Sequence, residues 1–84
     1  RLNYAAEVIA KALVYPNPTK GVVNVVVGDK ALIGSVATVY DEAGKLLQSV
    51  KITSQNQQID MSNYTNGIYF IRLQNKEVLK VMKH

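Results

Sequence analysis

"SVATVYDEAGKLLQSVKIT", Ser35 to Thr53, is the stretch on which the fold is decided. Two apolar-alternating runs flank four residues suited to a chain reversal. In the first run Val36 and Thr38 fall on one face and Ala37 and Val39 on the other, the period of two that belongs to a strand. In "DEAG", Asp41 can hydrogen-bond its own backbone and Gly44 can take a positive φ, the chemistry of a connection between antiparallel strands. The second run, Lys45 to Thr53, has Leu47, Val50 and Ile52 as its apolar positions. Leu47 and Val50 lie three apart, which breaks strict alternation and predicts a β-bulge near Gln48 and Ser49.

The same pattern extends in both directions. Gly21 opens a run in which Val23, Val25 and Val27 share a face and Val22, Asn24 and Val26 the other, a strand expected to be buried on both sides. Before it stands "VYPNPTKG", Val14 to Gly21. Proline locks φ and lacks an N–H, and it restricts the residue ahead of it, so Pro16 and Pro18 commit a whole corner in advance. Asn17 between them can cap that turn through its side-chain oxygen. After Thr53, "SQNQ" reads as loop and Gln58 to Met61 as a short strand with Ile59 and Met61 on one face. "SNYTNG" turns, and Asn66-Gly67 is the strongest short hairpin signal in the chain. Ile68, Phe70 and Arg72 then alternate with Tyr69, Ile71 and Leu73. "QNKE" leads to the last strand, Val78 to Met82, whose inward side is either Leu79 with Val81 or Val78, Lys80 and Met82.

With Leu13 to Tyr15 as the first, these make seven short strands with turns every roughly eight to twelve residues, the requirement of an antiparallel sandwich. The fold class is therefore all-β, a seven-stranded antiparallel β-sandwich of immunoglobulin-like architecture. Residues 13–84 form the domain. Residues 1–12, with "YAAEVIAKA", read as a linker or short helix ahead of it, an extra edge strand being the other alternative.

Composition sets bounds on function. A chain of 84 residues holds one core and buries only roughly 60% of its unfolded surface, so stability should be thin. A hydrophobic fraction of 48% with 19% charged residues is too apolar for a disordered tail. There is no cysteine, hence neither a disulfide framework nor a thiolate metal site. No run approaches the roughly 18 apolar residues of a membrane span, and the opening lacks both a signal peptide's apolar stretch and an initiator Met, as expected of an excised piece. The formal charge of +4 lies mostly at the end, in Arg72, Lys76, Lys80 and Lys83 against Glu77. Those bases alternate with apolar residues rather than with stacking aromatics, which argues against nucleic acid.

Side chains for catalysis are scarce. The single histidine, His84, is terminal, so no Ser-His-Asp arrangement can be preorganised around it. The carboxylates are scattered, and Asp41 and Glu42 sit together only because they share a turn. No calcium loop or phosphate loop is present, since the glycines are isolated turn residues. No cofactor is implied. The five tyrosines are read as rings filling the core with hydroxyls at the rim, Tyr64 being a candidate corner tyrosine. What remains is a rigid module whose work is to bind or to be recognised.

Four segments in fixed order carry a resemblance: "YPNPTKG" at Tyr15 to Gly21, "VYDEAGKLL" at Val39 to Leu47, "IDMSNYTNGIYFIRL" at Ile59 to Leu73, and "VLKVMKH" at Val78 to His84. Together they resemble the C-terminal sorting domain of the type IX secretion system, type A family, of Bacteroidota. The family's Pro-Asn-Pro and Gly match Pro16, Asn17, Pro18 and Gly21. Its Asp/Gly turn and basic residue match Asp41, Gly44 and Lys45, its Gly-x-Tyr strand matches Gly67 and Tyr69, and its closing strand matches Lys80, Val81, Met82 and Lys83. His84 stands beyond the usual terminal lysine.

The resemblance implies a non-catalytic address label on a larger protein. Such a label passes through the periplasm and is carried across the outer membrane by an outer-membrane shuttle protein and the type IX translocon. A sortase then removes it, cutting in or before Arg1 to Ala12, and the cargo ends on the cell surface or secreted. No membrane insertion is implied. An edge strand with Lys80 and Lys83 exposed would protect against aggregation, or would be read by the machinery through strand addition. Strand exchange through the exposed edges of a thin sandwich gives a route to a homodimer. The rival reading is a fibronectin-like adhesion or spacer module on a secreted protein. A third is a small module inhibiting its own cargo.

Overall fold

In the computed structural model, which describes residues 12–84, the chain forms seven strands in two antiparallel sheets. They are β1 (Leu13–Tyr15), β2 (Val22–Val26), β3 (Val36–Asp41), β4 (Leu46–Lys51), β5 (Asn56–Asp60), β6 (Gly67–Arg72) and β7 (Val78–Lys83). One sheet has the order β1-β2-β5 and the other β4-β3-β6-β7, the layered arrangement of an immunoglobulin-like sandwich. The helix-or-linker reading of residues 1–12 lies, but for Ala12, outside the described residues.

The β3–β4 hairpin forms as its sequence dictates. The Asp41 carboxylate accepts from the N–H of Ala43 and of Lys45, each at 2.9 Å, and Gly44 adopts φ +87°. The β-bulge is in β4 but earlier than expected: Val39 pairs with Gln48 and Tyr40 with Leu46, so Leu47 is the extra residue. That one residue turns Leu47 towards the interior, where Val50 and Ile52 already point.

The core is the interleaving of the two inner faces. Val23, Val25, Val27, Ile59 and Met61 meet Ala37, Val39, Ile71, Leu73 and Val81, and all are buried. The β7 ambiguity resolves in favour of Leu79 and Val81 facing inward, with Val78, Lys80 and Met82 outward. Alternation along the strands of both sheets thereby closes one core between them.

Three expectations are corrected, and one element is added. β2 is buried on one face only: Val22 is exposed and Asn24 and Val26 are half-buried, because no described element is layered over the outer side of the three-stranded sheet. β5 begins at Asn56, two residues before the expected start, since pairing of Asn56 with Val26 and Gln57 with Val25 satisfies backbone groups whatever the side chain. Asn66-Gly67 closes no hairpin. β5 and β6 belong to different sheets, and residues 61–66 carry the chain across, anchored by buried Met61, whose carbonyl accepts from Tyr64 N–H at 3.0 Å. Finally, a 3₁₀ turn at Lys30–Leu32, capped by the Asp29 carboxylate on Ala31 N–H at 2.9 Å, inserts Leu32 into the core from a stretch between β2 and β3 to which alternation assigns no element.

Candidate functional site: the corner and the tail

The Pro-Asn-Pro corner does not close on itself. Asn17 uses both ends of its side-chain amide on β7: Nδ2 donates to the Lys80 carbonyl and Oδ1 accepts from the Met82 N–H, each at 2.8 Å. Two residues on, Thr19 N–H donates to the Met82 carbonyl at 2.8 Å and the Thr19 carbonyl accepts from His84 N–H at 3.0 Å. Thr19 thus makes a parallel bridge to Lys83. The Asn17 amide imitates a peptide group and supplies a second rung, around Val81. The expected cap of its own turn is replaced by a bond reaching 63 to 65 residues along the chain. Both X–Pro bonds of the corner, Tyr15–Pro16 and Asn17–Pro18, are cis.

Thr19 is the residue that sequence reasoning missed. It is 2% exposed, and its hydroxyl donates to the Val22 carbonyl while accepting from Gly21 N–H, both at 3.0 Å. A threonine inside a quoted motif, two residues before its glycine, was the available signal. Gly21 sits close to the β5 end: its carbonyl accepts from Met61 N–H at 3.0 Å, and a Cβ there would lie 3.3 Å from the Ser62 Cβ, tighter than an ordinary side-chain contact.

The tail's lysines separate. Lys80 is exposed, but Lys83 faces inward with Leu79 and Val81 and is only 8% exposed, correcting the expectation that both lie open. Pairing of Lys83 with Gly67 on one side and its bridge to Thr19 on the other cover its stem. Met82, between them, is 45% exposed.

The remaining motif residues come to the same end of the sandwich. Asp41 pairs with Tyr69 and Tyr69 with Val81, while the Asp41 to Lys45 turn lies beyond the end of β3. Asp41, Gly67 and Tyr69 line one recess of about 240 Å³ with Glu42, Thr65 and Ile68. Tyr69, not Tyr64, makes the corner-type bond: its hydroxyl donates to the Thr65 carbonyl, four residues upstream. Tyr64 stacks against it with ring centroids 5.0 Å apart and accepts from Gln48 Nε2 at 2.6 Å. The reading of tyrosine rings as core therefore holds for buried Tyr69, while Tyr15 is exposed and Tyr4 lies outside the described residues. At this end too, the Ser62 hydroxyl and N–H donate to the Asp60 carboxylate at 2.6 and 2.9 Å and hold its pKa below the ordinary aspartate value.

All the matched segments thus gather where β1, β3, β5 and β7 finish. The described chain starts at the opposite end, where Ala12 N–H donates to the Glu77 carboxylate at 3.0 Å. Among the described residues no three His, Asp or Glu side chains gather as for a metal, and no helix is long and apolar enough to cross a membrane.

The family described as "Secretion system C-terminal sorting domain" matches residues 13–84. A stretch of 59 residues is 39% identical to Beta-agarase A of Zobellia galactanivorans, covering 70% of this chain and 11% of that protein. The chain therefore spans about a ninth of the length of that curated relative. No solved structure matches.

Proposed function

The chain belongs to the secretion system C-terminal sorting domain family, a sorting signal of type IX secretion, and from that premise we propose that its recognised element is the corner-and-tail end of the sandwich. Such a signal engages the type IX system and directs export across the outer membrane, to the cell surface or the medium. In our reading it does so without catalysis. The outer-membrane shuttle protein and the translocon meet Lys80, Met82 and the turns around Gly44 and Asn66 while the cargo is in the periplasm. A sortase then cuts upstream of Leu13, at the far end.

The observation that carries this reading is the joining of Asn17 and Thr19 to β7 through both side-chain and backbone bonds. It makes Pro16, Asn17, Pro18 and Gly21 one unit with Lys80, Val81, Met82 and Lys83. Asp41, Gly44, Lys45, Gly67 and Tyr69 flank that unit. A homodimer by strand exchange through β7 would require this corner to let go first.

The test is a reporter carrying the domain at its C-terminus. Removing residues 80–84 should leave it in the periplasm, but that cut also takes buried Val81 and so disturbs the fold. The sharper variant is Lys80→Glu with Met82→Ser, both exposed, whose folding circular dichroism can verify. Retention of a folded K80E/M82S reporter supports reading of the tail side chains. Surface delivery equal to the parent overturns it.

A further inference from the structure

The outward face of the four-stranded sheet is apolar for a surface and one-signed in charge. Register aligns its side chains in rows: Leu46, Tyr40, Phe70 and Lys80 in one, Ser49, Thr38, Arg72 and Val78 in the next. Ile68 pairs with Met82 and Val36 with Lys51 at the two margins. Val36, Leu46, Val78 and Met82 are 43% to 54% exposed, and no strand position on this face holds a carboxylate. Antiparallel sheets ordinarily present polar side chains to solvent, so exposed apolar rows of this extent mark a contact surface. The cations are distributed within it: Lys51 on β4, Arg72 on β6 and Lys80 on β7.

The face also has relief. Val36, Thr38, Tyr40 and Arg72 border a groove of about 290 Å³ that continues past Leu73 to Lys76. Its lining sets Val36, Tyr40 and Leu73 beside Thr38 and Gln74, and two cations, Arg72 and Lys76, stand along it. A recess of this kind receives a projecting side chain, which a flat lipid surface does not offer.

We propose that this sheet face binds a protein segment in which carboxylates are interspersed with apolar side chains, one carboxylate entering the groove towards Arg72 and Lys76 and the apolar neighbours lying on Tyr40, Phe70 and Leu46. Arg72 suits the task because its guanidinium can grip a carboxylate with two parallel bonds. The apolar rows exclude water from the contact, and the absence of acids on the face rejects basic segments. This surface shares Lys80 and Met82 with the corner-and-tail reading, but it is tested by peptide binding in vitro rather than by export, so the two fail independently.

Binding to the full chain is measured by fluorescence anisotropy with a fluorescein-labelled peptide in which glutamate alternates with leucine and phenylalanine. A second peptide has lysine for each glutamate. The glutamate peptide should bind saturably and the lysine peptide should not. Arg72→Glu with Lys80→Glu should weaken binding by about tenfold or more, and Lys20→Glu with Lys30→Glu, the same charge change outside this face, by less than about twofold. If the double glutamate variant loses its β-sheet circular dichroism, Arg72→Gln with Lys80→Gln replaces it, with weakening in the same direction. Absence of saturable binding overturns the proposal, as does equal weakening by the Lys20 and Lys30 changes, which would reduce it to net charge. Phosphatidylglycerol vesicles are run in parallel by co-sedimentation. Vesicle binding abolished by the Arg72 and Lys80 changes, with no peptide binding, would assign the face to a lipid surface and overturn it as well.

Discussion

At Asn17 one amide does the work of a strand residue. Its donor and its acceptor fit two β7 backbone groups that no other side chain of similar size could serve together. Each such hydrogen bond contributes about 0.5–1.5 kcal/mol net, so Asn17→Ala should lower unfolding free energy by about 1–2 kcal/mol in urea denaturation. Asn17→Asp keeps the acceptor for Met82 N–H but sets a second oxygen against the Lys80 carbonyl, and should be at least as damaging. Parental stability in the aspartate variant would refute the pairing. How far the sequence revealed this site can be judged from the same residue. Two prolines announce a rigid corner because their restriction is local, whereas the partner of Asn17 lies 65 residues away and no local rule names it. Thr19 was hidden for that reason. The Asp41 turn was fully legible, because its acceptor, its donors and its glycine all fall within five residues.

Elements follow their own period more faithfully than their neighbours' chemistry suggests. Alternation showed which residues of β2, β3 and β6 share a face, since a one-residue slip exchanges the two sets, but not which set turns inward, and β2, expected to be buried on both sides, is buried on one. In β7 the two sets were harder still to tell apart, because Lys83 belongs to the inward set and mimics the outward one. β5 was read short because its first residues are polar, and the 3₁₀ turn passed unseen because three residues carry too little periodicity. Packing makes the inward sets costly to alter: Ile71→Ala, at a fully buried site, should destabilise by about 2–5 kcal/mol. For a domain of this length each kcal/mol lowers Tm by about 4–8 °C, so calorimetry would find the transition shifted by at least several degrees. The end of β5 adds a pH dependence. Asp60 is held as a carboxylate by Ser62, with a folded pKa below its unfolded value. The stabilisation is therefore complete above the unfolded value and lost as pH falls through the folded one. Asp60→Asn removes that titration, and its unfolding midpoint should decline less steeply than the parent's under acid conditions. Parallel acid limbs in the two proteins would show that Ser62 gives Asp60 no preference for the charged form.

For the whole molecule the decisive property is polarity between its ends. An antiparallel sandwich with an odd number of strands enters at one end and finishes at the other, so Ala12, bonded to Glu77, and His84, bonded to Thr19, lie at opposite ends of the described domain. On the reading proposed above, recognition at the β7 end is kept clear of any fold joined ahead of Leu13, a separation that a mid-chain spacer has no need of. The corner bears on a second property of the assembled domain. A bare edge strand invites pairing with another copy, and β7 is the outer strand of its sheet. Asn17 and Thr19 occupy the Lys80 and Met82 carbonyls and the Met82 and His84 N–H groups along that edge. Loosening the corner should therefore uncover a template for strand addition while leaving both inner faces packed. Light scattering over a concentration series should show the Asn17→Ala chain gaining mass at concentrations where the parent does not, and Lys80→Glu alone, which leaves the corner bonds in place, should behave as the parent. Equal scattering from parent and Asn17→Ala chains at every concentration would mean that Thr19 suffices to guard the edge, and that the asparagine between the prolines serves stability and recognition alone.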